Sequence, residues 1–187
     1  MNESESGPGR KSPAVFFDRD GVVNQSPGAG YVLSWDAFHF TPGFFELFRL
    51  VKTRGWKAVL VTSQKGVGKG LMSQSDLDEI HSRMQSTLRE ECGAEFDGIY
   101  AFTGTENCRH QPKPDPEMID TAAVELDLDL GRSWMIGDAD RDIAAGLEGT
   151  LRVRGDKPIT VEASGTVNTL QAALALFDGI LSDESAN

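Results

Sequence analysis

The segment Asp18-Arg19-Asp20-Gly21-Val22-Val23-Asn24 follows directly on the apolar run Ala14-Val15-Phe16-Phe17. A short apolar run closed by turn residues predicts a buried strand. Two carboxylates then stand close together at its C-terminal end, where open α/β sheets hold their ligands. Gly21 permits the sharp turn this requires. Acids placed so near one another repel unless a cation shares the space. Mg²⁺ suits such a site, since it takes oxygen ligands and needs only one or two protein carboxylates. The ordinary alternative is an acidic turn in solvent.

Three further segments carry polar groups to similar places. Val59-Leu60-Val61-Thr62-Ser63-Gln64 puts hydroxyls at the end of an apolar strand, and Lys113 sits in the stiff turn Pro112-Lys113-Pro114-Asp115-Pro116 ahead of a helix. Met135-Ile136-Gly137-Asp138-Ala139-Asp140-Arg141-Asp142 places another acid at a strand end, with Asp142 on the helix that follows. Each has a plain structural explanation: Thr62 as a helix cap, Lys113 as a solvated lysine, Asp138 as a turn residue. Together, in a parallel sheet, Asp18, Asp20, Thr62, Lys113 and Asp138 converge on one crevice.

The elements that must position them alternate along the chain. Strands are predicted at 14–17, 57–61, 96–102, 133–136 and 150–153. Helices are predicted to open at Thr41-Pro42-Gly43, with Pro42 in the first turn, and at the cap Ser73 with Asp76. Further helices are predicted over 115–126, 140–147 and 169–181. The first shows Phe44, Leu47, Phe48 and Val51 at helical spacing before Gly55, and the second shows Ile80, Met84 and Leu88 before Gly93. Alternation of this kind predicts an α/β fold, a Rossmann-like three-layer α/β/α sandwich with a central parallel sheet. The segment between Asn24 and Thr41 has room for a flap and not for a separate cap domain. The expected organisation is a disordered tail over 1–12, one domain over 13–182 and a short tail over 183–187.

The chain of 187 residues carries 18 Lys and Arg against 29 Asp and Glu, a formal net charge of −11. Without a basic patch it is repelled by phosphate backbones and anionic membranes, so neither nucleic acid nor membrane is an expected partner. Two cysteines, Cys92 and Cys108, make no disulfide framework. The polar N-terminus has no secretory core and no apolar stretch reaches spanning length, which predicts a cytoplasmic protein. The oligomeric state is not readable at this level.

The order Asp-x-Asp-Gly, Thr after an apolar strand, Lys-Pro, then Gly-Asp-x-x-x-Asp resembles the haloacid dehalogenase (HAD) superfamily. Asp18–Asn24, the stretch Thr62-Ser63-Gln64-Lys65-Gly66-Val67-Gly68-Lys69-Gly70 and Val153-Arg154-Gly155-Asp156-Lys157-Pro158-Ile159-Thr160 are similar to its branch of heptose bisphosphate and histidinol-phosphate phosphatases. The resemblance spans roughly residues 14–165. It implies a Mg²⁺-dependent phosphatase of a small phosphorylated metabolite such as a phosphosugar, acting through an aspartyl-phosphate. Asp18 is then the nucleophile and Asp20 the general acid and base, with Thr62 and Lys113 on the phosphate. Asp18, Asp138 and the backbone carbonyl of Asp20 are the implied Mg²⁺ ligands, with Asp142 supporting the metal from behind. Arg19, Ser63, Gln64, Thr62 and Lys113 are the implied substrate contacts. Since Asp20 can protonate an alkoxide, phosphate esters are favoured over haloacids.

Two positions depart from the family pattern. Pro112 stands where Arg is common and Ala139 where Lys is common, so positive charge is lost, with Arg109 and Arg141 as candidate replacements. The branch often has a zinc loop before its Lys-Pro motif. Here Cys108 and His110 fall short of the four ligands a structural zinc takes, so no zinc is expected. Histidinol-phosphate phosphatase is the alternative activity, and a catalytically inactive HAD-like binding domain the alternative outside enzymes.

Overall fold

The structure, a computed structural model, describes residues 10–155 and 157–183. Strands β1 (Ala14–Phe17), β2 (Lys57–Ser63), β3 (Gly98–Phe102), β4 (Trp134–Gly137), β5 (Gly149–Val153) and β6 (Gly165–Val167) form one sheet in the order β3-β2-β1-β4-β5-β6. Every neighbouring pair is parallel. Helices α1 (Phe44–Thr53), α2 (Gln74–Cys92), α3 (Glu117–Glu125), α4 (Asp140–Ile143) and α5 (Leu170–Asp183) connect or follow the strands.

The two faces of the sheet read directly from the alternation of side chains along each strand. Val15 and Phe17 of β1 join Ala58 and Leu60 of β2 in a core with Phe44 and Phe48 of α1, Ile80 and Met84 of α2, and Phe177 of α5. Ala14, Phe16, Val59 and Val61 point the other way, onto Met118, Ile119 and Ala122 of α3. All four residues of β1 are fully buried, as a central parallel strand requires. The α/β/α sandwich is therefore as expected. Between Asn24 and Thr41 the chain is a loop with one short turn of 3₁₀-helix, Trp35–Ala37, and not a cap domain.

Several boundaries differ from the expectation. Helix α1 starts at Phe44, after Gly43 at φ 86°, so Pro42 precedes the helix. A side chain at Gly43 would meet Gln171 of α5 at 2.7 Å. Helix α4 is only Asp140–Ile143, and Gly146 at φ 99° turns the chain away before Leu147. β3 begins at Gly98; Phe96 packs its ring on Phe17 and Phe48. Helix α3 begins after Pro116, later than expected. β6 has no counterpart among the predicted strands. The capping box of Ser73 and Asp76 is formed, with the Asp76 N–H donating to Ser73 Oγ at 3.1 Å and the Ser73 N–H to Asp76 Oδ2 at 2.7 Å. Ser12 pairs with Leu128, and its N–H donates to the Asp127 carbonyl at 3.0 Å. Of the expected tails, residues 1–9 and 184–187 lie outside the described residues, and Asp183 is the last residue of α5.

His81 lies buried on the inner face of α2, and its Nε2 has no hydrogen-bond partner. Burial, aided by the Arg19 charge and opposed by Asp20, lowers its pKa to about 3 from the usual 6.5. The unfolded chain therefore takes up a proton below pH 6.5 that the folded chain refuses until about pH 3. Stability is full above 6.5 and falls through that window, by at most about 1.4 kcal/mol per pH unit. Chemical denaturation at about pH 7.5 and about pH 5 should show a loss of roughly 2 kcal/mol from this group. The loss should shrink in His81→Leu. An equal loss in the variant would assign the effect to other groups.

Candidate active site

The strand order reverses at β1, which lies between β2 and β4. The chain runs out through β2 and β3, then returns to build β4, β5 and β6 on the other side, which opens a crevice at the C-terminal ends of β1 and β4. Asp18 leaves β1 there and Asp138 leaves β4, and the Asp18 N–H donates to the Ile136 carbonyl at 2.9 Å. Lys113 enters from the turn before α3 and Asp142 from α4. The Lys113 ammonium lies 2.7 Å from Asp18 Oδ1, 2.7 Å from Asp142 Oδ1 and 2.8 Å from the Val61 carbonyl.

Ligand atoms of Asp18, Asp138 and Asp142 all lie within 4.8 Å of one another. Asp18 Oδ2 and Asp138 Oδ2 are buried and accept no hydrogen bond. Buried carboxylate oxygens left in this state are costly. Gly21, at φ 98°, closes the pocket floor: a Cβ there would stand 2.2 Å from Asp138 Oδ2. Gly137 does the same for Asp142, whose own Cβ would be 2.1 Å from an added one. An all-carboxylate cluster with unpartnered oxygens fits a hard divalent cation.

The electrostatics agree. Burial raises the pKa of Asp18 to about 6, Asp142 and Asp138 add to the rise, and Lys113 opposes it. Asp138 is also raised, again by burial, against the pull of Lys157. Burial alone would lower Lys113, but Asp142 and Asp18 outweigh it and the amine stays protonated. Asp20 behaves differently. Burial pushes its pKa up, yet the Arg19 charge and hydrogen bonds from Gln64, Asn24 and Arg19 bring it below the usual carboxylate range.

A profile of HAD-hydrolase-like proteins matches residues 110–153. A D-glycero-β-D-manno-heptose-1,7-bisphosphate 7-phosphatase of Helicobacter pylori J99 is 38% identical over 146 residues, covering 74% of this chain and 79% of its own. The enzyme of that name from Escherichia coli K12 is 32% identical over 178 residues, covering 87% and 90%. The crystal structure of the D,D-heptose 1,7-bisphosphate phosphatase of B. bronchiseptica, complexed with magnesium and phosphate, superposes with a TM-score of 0.73 at 29% identity, covering 88% of this chain and 97% of that one. The chain belongs to the HAD superfamily of phosphatases.

The phosphatase gathers Asp18, Asp20, Lys113, Asp138 and Asp142 at one sheet edge. Its carboxylate cluster takes in Asp142, expected to act from behind the metal, and leaves out the Asp20 side chain. Asp20, Ser63 and Lys113 line the open cleft above. Ser63 Oγ is buried without a partner. Arg19 and Gln64, expected as substrate contacts, are both buried and hold Asp20. Arg19 Nη2 is 3.1 Å from Asp20 Oδ1, and Gln64 Nε2 donates to Asp20 Oδ2 at 2.9 Å and to Thr62 Oγ1 at 2.8 Å. The Arg19 side chain is fully buried while the carboxylate it pairs with, on Asp20, stays partly exposed at the cleft. Thr62 is 1% exposed and reaches no part of the cleft lining.

Of the two candidate replacement cations, Arg141 lines the phosphatase cleft, whereas Arg109 lines another cavity beside Cys108 and His110. Cys108 Sγ accepts the Thr103 N–H, and His110 Nδ1 lies 3.1 Å from Glu117. Lys65, Tyr31 and Lys157 also line the cleft, and Asn24 donates to Asp20 Oδ1 at 3.0 Å. No role followed for these from sequence. For Lys157 a signal existed: it lies just past the C-terminal end of β5, at the same sheet edge as Asp138. Among the described residues, no helix is long and apolar enough to cross a membrane.

Proposed function

We propose that this phosphatase hydrolyses a phosphosugar, with D-glycero-D-manno-heptose 1,7-bisphosphate as the substrate, using Mg²⁺ at Asp18 and Asp138 with Asp142 beside them. The observation that carries the reading is the buried carboxylate cluster with two unpartnered oxygens, set under a cleft lined by Asp20 together with Lys65, Lys113, Arg141 and Lys157. Those four cations offer partners to a substrate with two phosphate groups. Relatives named for the α and the β anomer both resemble the chain at 38% identity, so both anomers belong in the test.

Asp18 attacks phosphorus in line, forming its acyl phosphate as the ester P–O bond breaks. Asp20 hands its proton to the departing alkoxide. In the second step Asp20 takes a proton from water, the water oxygen bonds to phosphorus, and the bond to Asp18 breaks. Lys113 keeps the attacking carboxylate oriented and offsets the charge of the phosphoryl group. A bound Mg²⁺ supplies further positive charge for the transition state. As it stands, with three donors on it, Asp20 is ionised and set for the second step. Serving as the acid requires it to turn off Arg19 and Gln64 into the cleft it already lines, where the donors that depress its pKa are left behind.

The test is a panel of phosphate esters assayed with Mg²⁺ and again after chelation. Both heptose bisphosphate anomers and histidinol phosphate belong in it. One equivalent of phosphate per heptose bisphosphate is expected, abolished by chelation and restored by Mg²⁺. Faster release from histidinol phosphate would replace the substrate assignment. Release that is indifferent to chelation would remove the metal.

A further inference from the structure

The loop after β5 brings a second amine to the carboxylate cluster. Lys157 Nζ donates to Asp138 Oδ1 at 2.6 Å, and its side chain is 23% exposed at the cleft wall. The pattern repeats that of Lys113 on Asp18: one carboxylate oxygen is held by an ammonium and the other, Oδ2, is left without a partner. An ammonium carries three N–H donors, and one of those on Lys157 is used by Asp138.

The loop is braced rather than loose. Asp140, at the start of α4, accepts from the backbone N–H of Thr160 at 2.9 Å and of Val161 at 3.2 Å. Fully buried Arg152 of β5 ties the same carboxylate at 2.5 Å to the Val161 carbonyl at 2.9 Å. Gly155 passes close to the cluster, its Cβ position 3.9 Å from Asp138 Oδ2. A strand end, a helix start and a buried arginine thus cooperate to deliver one lysine. A lysine needed only for solubility requires no such support.

We infer that Lys157 is a phosphate-binding residue: it faces the phosphoryl group across the cleft from Lys113 and supplies the cation missing at Ala139. The inference rests on the phosphatase reading above. It has a second consequence. An amine on Asp138 repels a divalent cation bound by the same carboxylate, so Lys157 favours the anion and disfavours the metal.

The probes are inorganic phosphate, followed as a competitive inhibitor at saturating Mg²⁺, and Mg²⁺ alone, followed by calorimetry without phosphate. Lys157→Met should weaken phosphate by about tenfold or more, the loss of a charge-assisted hydrogen bond. It should bind Mg²⁺ no less tightly than the wild type. Lys157→Arg should recover most of the phosphate affinity, and the partly exposed loop position leaves folding intact in both. Phosphate affinity in Lys157→Met within about twofold of wild type would overturn the inference. So would a joint loss of Mg²⁺ and phosphate, which would make Lys157 a support for Asp138 alone. A wild type without Mg²⁺-dependent phosphatase activity would instead remove the underlying reading.

Discussion

Asp18→Asn should lose turnover by about 10⁴-fold or more, the scale seen when a covalent nucleophile is removed, while its fold persists. Asparagine matches the shape of the carboxylate and still accepts from the Lys113 ammonium. It also removes a buried charge whose pKa is already raised by its surroundings, so stability should be equal or greater. Mg²⁺ affinity should fall as well, because one of three clustered carboxylates is gone. The assay therefore needs Mg²⁺ raised until the rate no longer responds. Substantial activity at that plateau would mean that Asp18 serves only the metal.

Asp20→Asn should produce a loss that depends on the leaving group. A sugar alkoxide is strongly basic and needs a proton to depart; a nitrophenolate leaves without one. General acid catalysis is typically worth about 10²–10⁴-fold, so phosphorylation of the enzyme by a sugar phosphate should slow far more than by nitrophenyl phosphate. Asparagine retains one oxygen, enough to accept from Arg19 and Asn24, and gives up the acceptor that Gln64 uses. Equal slowing of the two substrates in single-turnover phosphorylation would show that Asp20 braces the backbone or the metal and carries no proton.

The sequence made the sheet legible where burial and periodicity coincide. The run 14–17 predicted a buried strand with acids at its C-terminal end, and it is the fully buried central strand β1. Asp18 and Asp138 were readable because topology brings strand ends together, and Lys113 because its Lys-Pro turn precedes a helix of the same sheet. Arg19 and Gln64 were not, because their roles depend on which way a side chain turns at the strand end. Both are buried and hold Asp20. Lys157 went without a role although it stands just past β5 in a motif shared with the branch, because its contact with Asp138 arises from the return of a loop that no periodic pattern announces. β6 escaped because Gly165-Thr166-Val167 is too short to show alternation.

The stereochemical course at phosphorus tests the covalent role of Asp18 most directly. A sugar thiophosphate made chiral at phosphorus with two oxygen isotopes would be hydrolysed by the wild type in water of the third isotope, and the configuration of the released thiophosphate determined. Two successive in-line displacements, first by Asp18 and then by water, each invert the centre, so net retention is expected. Net inversion would mean a single displacement by water and would contradict an aspartyl-phosphate at Asp18.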